Sequence, residues 1–353
     1  MGFTRVRFNN FRNLESREIR WTPGLNLLTG VNGSGKTNIL EAINILSGWG
    51  PLERGTKSFS LPTWNSGTTE VQLTGQLDGE EIIKVKISGR FLLKIDDSVI
   101  SATDLRWKIP VLSFLPNDMA ILEGAASFRR RLLDMILSLI VPPYALRLSD
   151  YRRGIRQKAA MLKQEKSTEI IDRVLTPLAT WIWKMREEVV LLLSDCIKEQ
   201  DFLLPEKGVF LCLKRGGSVQ SENIEEDYNL SLIRNREKER VIKMPIVGPH
   251  RDDIIIKTDG KLAACALSRG FRRRVAIALI LAATDGVKRK MGRAPVLLLD
   301  EVTAELDLEG KELLFRSLLE RKTQVFAATA EPGAEDFPGE RYTVSDGRVM
   351  KNE

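Results

Sequence analysis

Apolar and polar residues alternate at the start of the chain, which is the pattern of a half-buried β-strand. The alternation begins at Phe3, and Pro23-Gly24 separates two further short runs. Three short alternating runs around Gly79 and Gly89 predict an antiparallel meander between 70 and 100. Strands are therefore predicted over 3–8, 17–21, 25–29 and 109–115, with an amphipathic helix over 36–48.

The pattern changes after Pro116, where apolar residues begin to recur three or four positions apart. This spacing predicts helices, of which the longest covers 169–199 and is expected to bend at Pro177. A further helix is predicted over 222–240. After Pro249 the alternation of strands and helices returns, with strands over 254–257, 296–299 and 323–328 and helices over 270–290 and 309–320.

A length of 353 residues is enough for about two domains. The two regions of strand–helix alternation predict one α/β domain that is split in sequence, over 1–115 and 246–353. The residues between them, 116–245, predict a mostly helical insert domain, or arm. We find no internal repeat and no low-complexity segment in the sequence.

A phosphate-binding loop follows the strand predicted over 25–29. Its glycines allow successive main-chain N–H groups to converge on phosphate oxygens at a helix N-terminus. Lys36 is expected to reach the β- and γ-phosphates, and the Thr37 hydroxyl to bind Mg²⁺. The segment matches the G-x-x-x-x-G-K-(S/T) motif at every position and reads Gly30, Val31, Asn32, Gly33, Ser34, Gly35, Lys36 and Thr37.

An acidic pair follows the strand predicted over 296–299. Asp300 is placed to complete the Mg²⁺ shell, and Glu301 to accept a proton from an attacking water. Buried strands often end in acids, so this pattern is weak alone, but it becomes strong beside a phosphate loop. Together the two motifs predict ATP with Mg²⁺ as cofactors, and phosphoryl chemistry with Glu301 and Lys36 as catalytic residues.

A third segment, Leu267-Ser268-Arg269-Gly270, precedes an apolar helix, and Glu305-Leu306-Asp307 follows the acidic pair. Alone, Ser268 could be an ordinary helix N-cap. The order of these motifs resembles the ABC-type ATPase superfamily, including SMC-like heads. The resemblance implies an α/β ATPase head, with a mixed sheet and an antiparallel meander, in which Ser268 and Gly270 of a second subunit contact the γ-phosphate. It therefore implies an ATP-dependent homodimer.

The finer resemblance is to the RecF family of bacterial recombination-repair proteins, and it runs nearly end to end. Arg12 is similar to an arginine that reaches toward the nucleotide phosphates in related heads. Two positions depart from the pattern: Phe271 stands where glutamine is usual, and Asn117 stands in the family's acidic pair. Further blocks that carry the resemblance are Asn10-Phe11-Arg12-Asn13, Phe128-Arg129-Arg130-Arg131-Leu132-Leu133-Asp134 and Gly248-Pro249-His250-Arg251-Asp252-Asp253.

The basic residues are unevenly distributed. The chain has 54 Lys and Arg against 47 Asp and Glu, a net charge of +7. Residues 128–164 alone contain nine basic and two acidic residues. Such a cluster suits contacts to duplex DNA phosphates, although a solvated helix face is the commoner explanation of a charge run. The predicted DNA-binding residues are Arg129, Arg130, Arg131, Arg152, Arg153 and Arg156.

Several classes of protein are excluded or disfavoured. The longest apolar run is too short to span a membrane, and no secretory signal is visible. Three unpaired cysteines and a single histidine argue against disulfides and against a multi-histidine metal site. We expect a cytoplasmic protein. A transporter ATPase subunit and a structural SMC-like head remain alternatives, the first opposed by the basic insert and the second by the short predicted helices.

The sequence therefore leads to a DNA clamp that depends on ATP. ATP would bring two subunits together on duplex DNA near a single-strand gap, where the protein would help to load a recombinase. Slow hydrolysis to ADP and phosphate would then release it. The family resemblance implies mediator partners of the RecR and RecO type.

Overall fold

The computed structural model describes residues 2–352 apart from 54, 65, 117, 119–120, 218, 302–305, 307 and 331–337. The chain folds into two compact units. The first contains residues up to Ala120 and from Arg269 onward, and the second runs from Ile121 to Ser268. Asn117, one of the departures from the family pattern, lies outside the described residues.

The helices and strands follow the chain in three groups. Before Ala120 they are β1 (Phe3–Asn9), β2 (Glu18–Arg20), β3 (Leu25–Thr29), α1 (Lys36–Leu46), β4 (Val71–Leu77), β5 (Ile82–Ser88), β6 (Arg90–Ile95), β7 (Ser98–Val99), α2 (Ala102–Lys108) and β8 (Val111–Phe114). In the second unit they are α3 (Ala126–Ile140), α4 (Tyr144–Lys163), α5 (Glu169–Lys198), β9 (Phe210–Lys214), α6 (Ile224–Ile242), β10 (Asp253–Thr258), β11 (Lys261–Leu262) and α7 (Ala263–Ala266). From Arg269 they are α8 (Arg269–Met291), β12 (Val296–Asp300), α9 (Leu308–Glu320), β13 (Val325–Thr329), β14 (Glu340–Ser345) and β15 (Arg348–Lys351).

The first unit contains two six-stranded sheets. One is antiparallel, in the order β2-β1-β4-β5-β6-β7, and its strands β4 and β5 alternate between buried and exposed residues. The other has the order β15-β14-β3-β13-β12-β8, with every pair parallel except β14 with β15. Strands β12 and β13 are buried at every position, as expected for parallel strands covered on both faces.

Helix α1 packs against strands of both sheets, which explains why its sequence is apolar on most sides. It packs on β12 and β13 of the mixed sheet and on β4 and β5 of the antiparallel sheet. Ile39, Leu40, Ile43 and Leu46 are fully buried in one cluster with residues from both sheets. Burying side chains of this size contributes about 1.5–3 kcal/mol each. The start of α1, and with it the phosphate loop, is therefore held firmly in place.

The second unit combines long helices with a small antiparallel sheet of order β11-β10-β9. Helix α5 is continuous through Pro177, and it packs against α3, α4, α6 and β9. Residues 246–268 were expected to belong to the ATPase domain, whereas in the structure they pack within this second unit. The physical reason is the pairing of β10 with β9, for example Ile255 opposite Cys212. Apart from residues 246–268, the division into a split ATPase domain and a mostly helical arm stays a prediction.

Candidate functional site

The phosphate loop, Gly30–Thr37, contains three glycines with left-handed backbone torsions, and at two of them a side chain would also meet close neighbours. Gly30 has φ 155° and Gly35 has φ 116°. A Cβ at Gly30 would lie 2.2 Å from the Val344 carbonyl oxygen, and one at Gly35 would lie 2.9 Å from Asn13 Oδ1. Other residues would therefore be strained here on two counts, the torsion and the space. The turn between β14 and β15 supports the loop, because Gly347 N donates to Ser34 O at 2.8 Å.

The ammonium group of Lys36 lies inside the loop. Its Nζ donates to the carbonyl oxygens of Gly30 at 2.8 Å and Val31 at 3.1 Å, and the residue is 5% exposed. Glu301 Oε1 is 3.8 Å from the same nitrogen. The Lys36 charge is thus compensated by loop dipoles and one carboxylate, and it lies where an anionic ligand of the loop would be attracted.

Thr37 and Asp300 meet although they lie far apart in sequence. The Thr37 hydroxyl donates to Asp300 Oδ2 at 3.0 Å and is 3.2 Å from Oδ1. Strands β3 and β12 flank β13 in register, so their carboxyl ends reach the same edge of the sheet. The pKa of Asp300 is raised above its ordinary value, mainly because the carboxyl group is buried. The hydrogen bond from Thr37 lowers the pKa, and the neighbouring Glu301 charge raises it further.

Glu301 follows Asp300 in a left-handed conformation with φ 51°. Its main-chain N–H donates to Ala328 O at 2.9 Å, and its carboxylate accepts from Ala330 N at 3.4 Å. The Glu301 carboxylate lies beside Lys36, with Oε1 3.8 Å from the ammonium nitrogen. A carboxylate held in this way can accept a proton from a water molecule.

One cavity of about 530 Å³ brings these groups together. Its lining combines one ammonium group, hydroxyl and amide side chains, and two carboxylates. Magnesium prefers hard oxygen ligands and usually takes few from the protein together with substrate phosphates. Thr37 and Asp300 match that donor set, and Lys36 supplies a positive charge for a triphosphate. The principal lining residues are Asn32, Gly33, Lys36, Thr37, Asp300 and Glu301.

Arg12, predicted to reach toward the phosphates, is hydrogen-bonded to Glu41 and to the main chain at Ser60, and its role at the phosphates stays a prediction. Its Nε donates to Glu41 Oε2 at 2.9 Å, and its Nη1 donates to Ser60 O at 3.1 Å. Glu41 lies on α1 and is 3% exposed, so the pair is largely buried. Glu41 was not predicted from the sequence, and neither was Asn13, whose Nδ2 donates to Gly33 O at 3.1 Å. For Asn13 a signal was present, because it belongs to the family block that begins at Asn10.

The predicted DNA-binding arginines fall into two groups. Arg129 is a structural residue: its Nε donates to Asp253 Oδ1 at 2.6 Å, and its Nη1 donates to the carbonyls of Ile121 and Gly124. Arg130 Nη1 donates to Asp252 O at 2.6 Å, and burial lowers the pKa of Arg130. Arg131 is half-buried on α3. Arg129 is therefore paired with a carboxylate within the fold, Arg130 is bonded to the main chain, and the DNA-binding role of all three residues stays a prediction.

The second group lies on α4 and consists of Arg152, Arg153 and Arg156. Arg152 and Arg153 are largely exposed to solvent. Arg152 pairs with Asp134 at 2.8 Å, and Arg153 with Asp150 at 3.6 Å, but their side chains stay 57% and 73% exposed. Arg156 is exposed as well. By contrast, Lys158 on the same helix is buried between Asp172 and Glu239, at 2.8 and 2.6 Å. The basic stretch therefore divides into residues that build the fold and residues that face solvent.

Sequence and structure comparisons identify related proteins. An AAA domain family matches residues 5–174. The DNA replication and repair protein RecF of Escherichia coli O1:K1 is 31% identical over 99% of this chain and 99% of its own length. The chain belongs to the RecF family. RecF of Heliobacterium modesticaldum is 28% identical over 93% of this chain and 92% of its own.

Solved RecF structures agree with this assignment. The recombination mediator protein RecF-ATPrS in the RecFOR pathway is 25% identical, covers 100% of this chain and 98% of its own, and has a TM-score of 0.88. The RecF-ATP structure has a TM-score of 0.85 over 99% of this chain and 97% of its own. An Smc head bound to a winged-helix domain of ScpA shares the fold, at 16% identity and a TM-score of 0.60. The predicted α/β ATPase-head fold class is confirmed.

One RecF-family block, Gly248–Asp253, packs within the second unit. Asp252 is fully buried and accepts hydrogen bonds from Arg186 Nη1 and Trp183 Nε1, each at 2.7 Å. His250 Nδ1 lies 2.8 Å from the Tyr151 hydroxyl, and its Nε2 lies 3.1 Å from Pro245 O. The block thus forms a buried polar network, in which His250 has a structural position.

The signature segment Leu267-Ser268-Arg269-Gly270 falls on the border of the two units. Ser268 is the last residue of the second unit, and Arg269 begins both α8 and the rest of the first unit. Gly270 lies in the first turn of α8. Phe271, the departure from the family pattern, is 40% exposed, and the Arg274 guanidinium lies 5.6 Å from its ring centre. The role predicted for Ser268 and Gly270 involves a second subunit and stays a prediction.

Within the described residues, no helix is long and apolar enough to cross a membrane.

Proposed function

We propose that this protein is a cytoplasmic, ATP-dependent DNA-binding protein of recombinational repair with a slow ATPase activity. The observation that carries the proposal is the cavity where Lys36, Thr37, Asp300 and Glu301 converge. Family membership supports it, since a RecF-ATP structure superimposes with a TM-score of 0.85. The DNA-binding part rests on the family's role in DNA replication and repair and on the exposed arginines of α4.

The side chains divide the chemistry among them. Lys36 would exchange its hydrogen bonds to the Gly30 and Val31 carbonyls for bonds to β- and γ-phosphate oxygens. Thr37 and Asp300 would hold Mg²⁺, which when bound neutralises phosphate charge. Glu301 would accept a proton from the attacking water. The water oxygen forms a bond to the γ-phosphorus as the bond to the β–γ bridging oxygen breaks, which yields ADP and phosphate.

The nucleotide would act as a switch for assembly. Ser268 and Gly270 of a second subunit would contact the γ-phosphate and so make dimerisation depend on ATP. Residues 116–245 would form the arm whose arginines contact duplex DNA near gaps, and hydrolysis would release the clamp. Mediators of the RecR and RecO type are the proposed protein partners, since the solved RecF structures belong to the RecFOR pathway.

The test combines size and DNA binding. Light scattering with ATP and Mg²⁺ should show a dimer for the wild type, and a monomer for Lys36→Met and Ser268→Arg. Binding to duplex and gapped DNA should be strongest with ATP, weaker with ADP, and steeply dependent on salt. Both variants should lose the ATP effect on DNA binding. The clamp is excluded if they dimerise and bind DNA like the wild type. A shallow salt dependence without any nucleotide effect would exclude it equally.

A further inference from the structure

Strand β9, Phe210–Lys214, lies at the edge of the small sheet in the second unit. The order of this sheet is β11-β10-β9, so β10 pairs with one side of β9. Within the residues that the structure describes, no strand pairs with its other side. The main-chain N–H and C=O groups of a strand point to both of its sides, so an edge strand presents a row of groups that can pair with a further strand.

One face of β9 belongs to the interior of the unit. Leu211 is half-buried and lies opposite Ile256 of β10, which is buried. Leu213 is half-buried as well and lies opposite Ile254, which is also buried. Since β9 packs against α5, these leucines help to hold the strand on the unit. The edge is therefore supported from within and does not need a further strand for its position.

The opposite face of the sheet is apolar and open to solvent. Phe210 is 64% exposed and lies opposite Lys257 of β10. Lys257 lies in turn opposite Leu262 of β11, which is 49% exposed. Cys212, two positions further along β9, is exposed on the same face. Residues that lie opposite one another share a face, so Phe210, Cys212 and Leu262 form an apolar surface that reaches the free edge.

The charge that this sheet offers to a ligand is positive, because its acids are already paired. Asp253 pairs with Arg129 at 2.6 Å. Asp259 pairs with Lys207 at 2.6 Å. Ammonium groups beside an apolar surface favour a ligand that carries carboxylates. Three lysines of the sheet form no ion pair with the part of the chain that the structure describes, namely Lys214, Lys257 and Lys261.

We propose that β9 is a docking strand for an extended acidic segment of a partner protein, which adds to the sheet as a fourth strand. Main-chain hydrogen bonds to the free side of β9 give affinity, and the side chains give selectivity. Phe210 and Lys214 are four positions apart and share one face. The segment should therefore carry an apolar residue and an acid four positions apart, the first packing on Phe210 and the second pairing with Lys214.

A second copy of this chain and duplex DNA each match only part of this surface. Strand β9 reads Phe-Leu-Cys-Leu-Lys and contains no acid, so β9 of a second copy would leave Lys214 and Lys257 without a counter-charge. Duplex DNA would compensate the lysines but has no alternating N–H and C=O groups to pair with a strand. An acidic polypeptide in an extended conformation matches both the edge and the charge.

The experiment uses a fluorescent peptide of about eight residues in which Ile and Glu stand four positions apart. One companion peptide has Lys in place of Glu. Another is N-methylated at successive main-chain nitrogens, so that neither side of it can donate hydrogen bonds. Fluorescence anisotropy with the full chain and without nucleotide should show that the acidic peptide binds. Both companions should bind at least about tenfold more weakly.

The test variants are Phe210→Ser and Lys214→Glu. Phe210→Ser should weaken binding of the acidic peptide about tenfold, because it removes the apolar contact. Lys214→Glu should reverse the preference between the acidic peptide and its Lys companion. The matched controls lie on α6: Ile233→Ser removes an apolar side chain that is also 64% exposed, and Lys238→Glu reverses an exposed charge. Neither control should change the affinity for any of the peptides.

Several results would overturn the proposal. Failure of the wild type to bind the acidic peptide would exclude the docking strand, and equal binding of the N-methylated peptide would exclude strand addition. Equal losses in the α6 controls would show that the surface is not specific. A nucleotide-independent dimer that Phe210→Ser abolishes would assign the edge to a second copy. Weaker duplex DNA binding by Lys214→Glu, with unchanged peptide binding, would assign the lysines to DNA.

Discussion

The hydroxyl of Thr37 donates to the carboxylate of Asp300 at 3.0 Å, across 263 positions of sequence. This hydrogen bond joins the first turn of α1 to the end of β12, so the helix that follows the phosphate loop is tied to the acidic strand. The same two oxygen-bearing groups are the ones expected to hold Mg²⁺. The fold therefore brings the two expected metal ligands within hydrogen-bonding distance of each other.

Replacing Thr37 or Asp300 should impair Mg²⁺ binding and, with it, ATP hydrolysis. Asp300→Asn and Thr37→Val should each reduce the ATPase rate by about 100-fold or more, because a metal contributes several kcal/mol of charge stabilisation. Thr37→Ser keeps the hydroxyl and should stay near wild type. ATP titrations with and without Mg²⁺ test the cause: the variants should lose the Mg²⁺ enhancement. A Thr37→Val protein that retains full Mg²⁺-dependent activity would contradict the assignment.

Glu301→Gln should separate binding from hydrolysis. A glutamine cannot accept the proton of the attacking water, so the rate in a single turnover should fall by about 100-fold or more. ATP affinity should change little, since Lys36 and the loop remain. Lys36→Met is the contrasting variant, in which binding itself is lost. Filter binding and quench-flow measurements distinguish the two, and a Glu301→Gln protein with an unchanged rate would remove Glu301 from the mechanism.

The exposed arginines of α4 should account for DNA affinity. Replacing Arg152, Arg153 and Arg156 together with Gln should weaken duplex binding. The salt slope should fall by up to about 0.9 for each DNA phosphate that is no longer neutralised. The control is the same change at Arg234, Arg236 and Arg240 of α6, which are also exposed. Equal losses in both triple variants would mean that overall charge is responsible and that the α4 surface is not.

The second unit should depend strongly on Arg186, which is 2% exposed and pairs with Asp134 at 2.8 Å and Asp252 at 2.7 Å. Arg186→Met leaves two carboxylates without this partner, which costs about 3–5 kcal/mol. Arg153→Met removes an arginine that is 73% exposed and should cost less than about 1 kcal/mol. Urea unfolding followed by circular dichroism tests both values, and similar midpoints for the two variants would refute the difference.

The buried position of His250 should make the protein less stable in mild acid. Burial lowers its pKa to about 4, assisted by the charges of Arg251, Lys158 and Arg130. In the unfolded chain the pKa is near 6.5, so the unfolded state binds the extra proton first. The stability that the neutral His250 contributes is therefore fully present above about pH 6.5. As the pH falls toward about 4, the free energy of unfolding should decrease by about 2–3 kcal/mol.

His250→Gln supplies the comparison for this pH effect. A glutamine can replace the hydrogen bonds to Tyr151 and Pro245 but does not titrate. The difference in unfolding free energy between wild type and variant should therefore change between about pH 7 and pH 4, whereas the effects of carboxylates common to both proteins cancel. A difference that is constant over this range would show that His250 does not titrate as described.

The first unit was largely predictable from the sequence because its signals are local. The run Leu25–Thr29 predicted β3 with the observed ends, and the loop motif predicted the start of α1 at Lys36. Residues 296–299 predicted β12, which extends one residue further to Asp300. In each case an apolar run is bounded by a glycine or an acid, so the pattern fixes both the element and its end.

Interactions between distant segments were not predictable in the same way. Strand β9 reads Phe-Leu-Cys-Leu-Lys and is buried on neither face, so its alternation is weak and its pairing with β10 could not be inferred. The roles of Arg129 and Lys158 depend on carboxylates from distant segments, namely Asp253, Asp172 and Glu239. A charge count along the sequence includes only near neighbours, and it therefore overestimates the charge that a partner can meet.

The division of the chain between Ser268 and Arg269 has a consequence for dissecting the protein. A fragment in which a short linker replaces residues 121–268 would keep both sheets of the first unit, the phosphate loop and Gly270. It would lose Ser268, because that residue belongs to the other unit. Excision at the border would thus separate the two residues of the proposed signature, so that neither fragment alone could supply both to a partner's nucleotide.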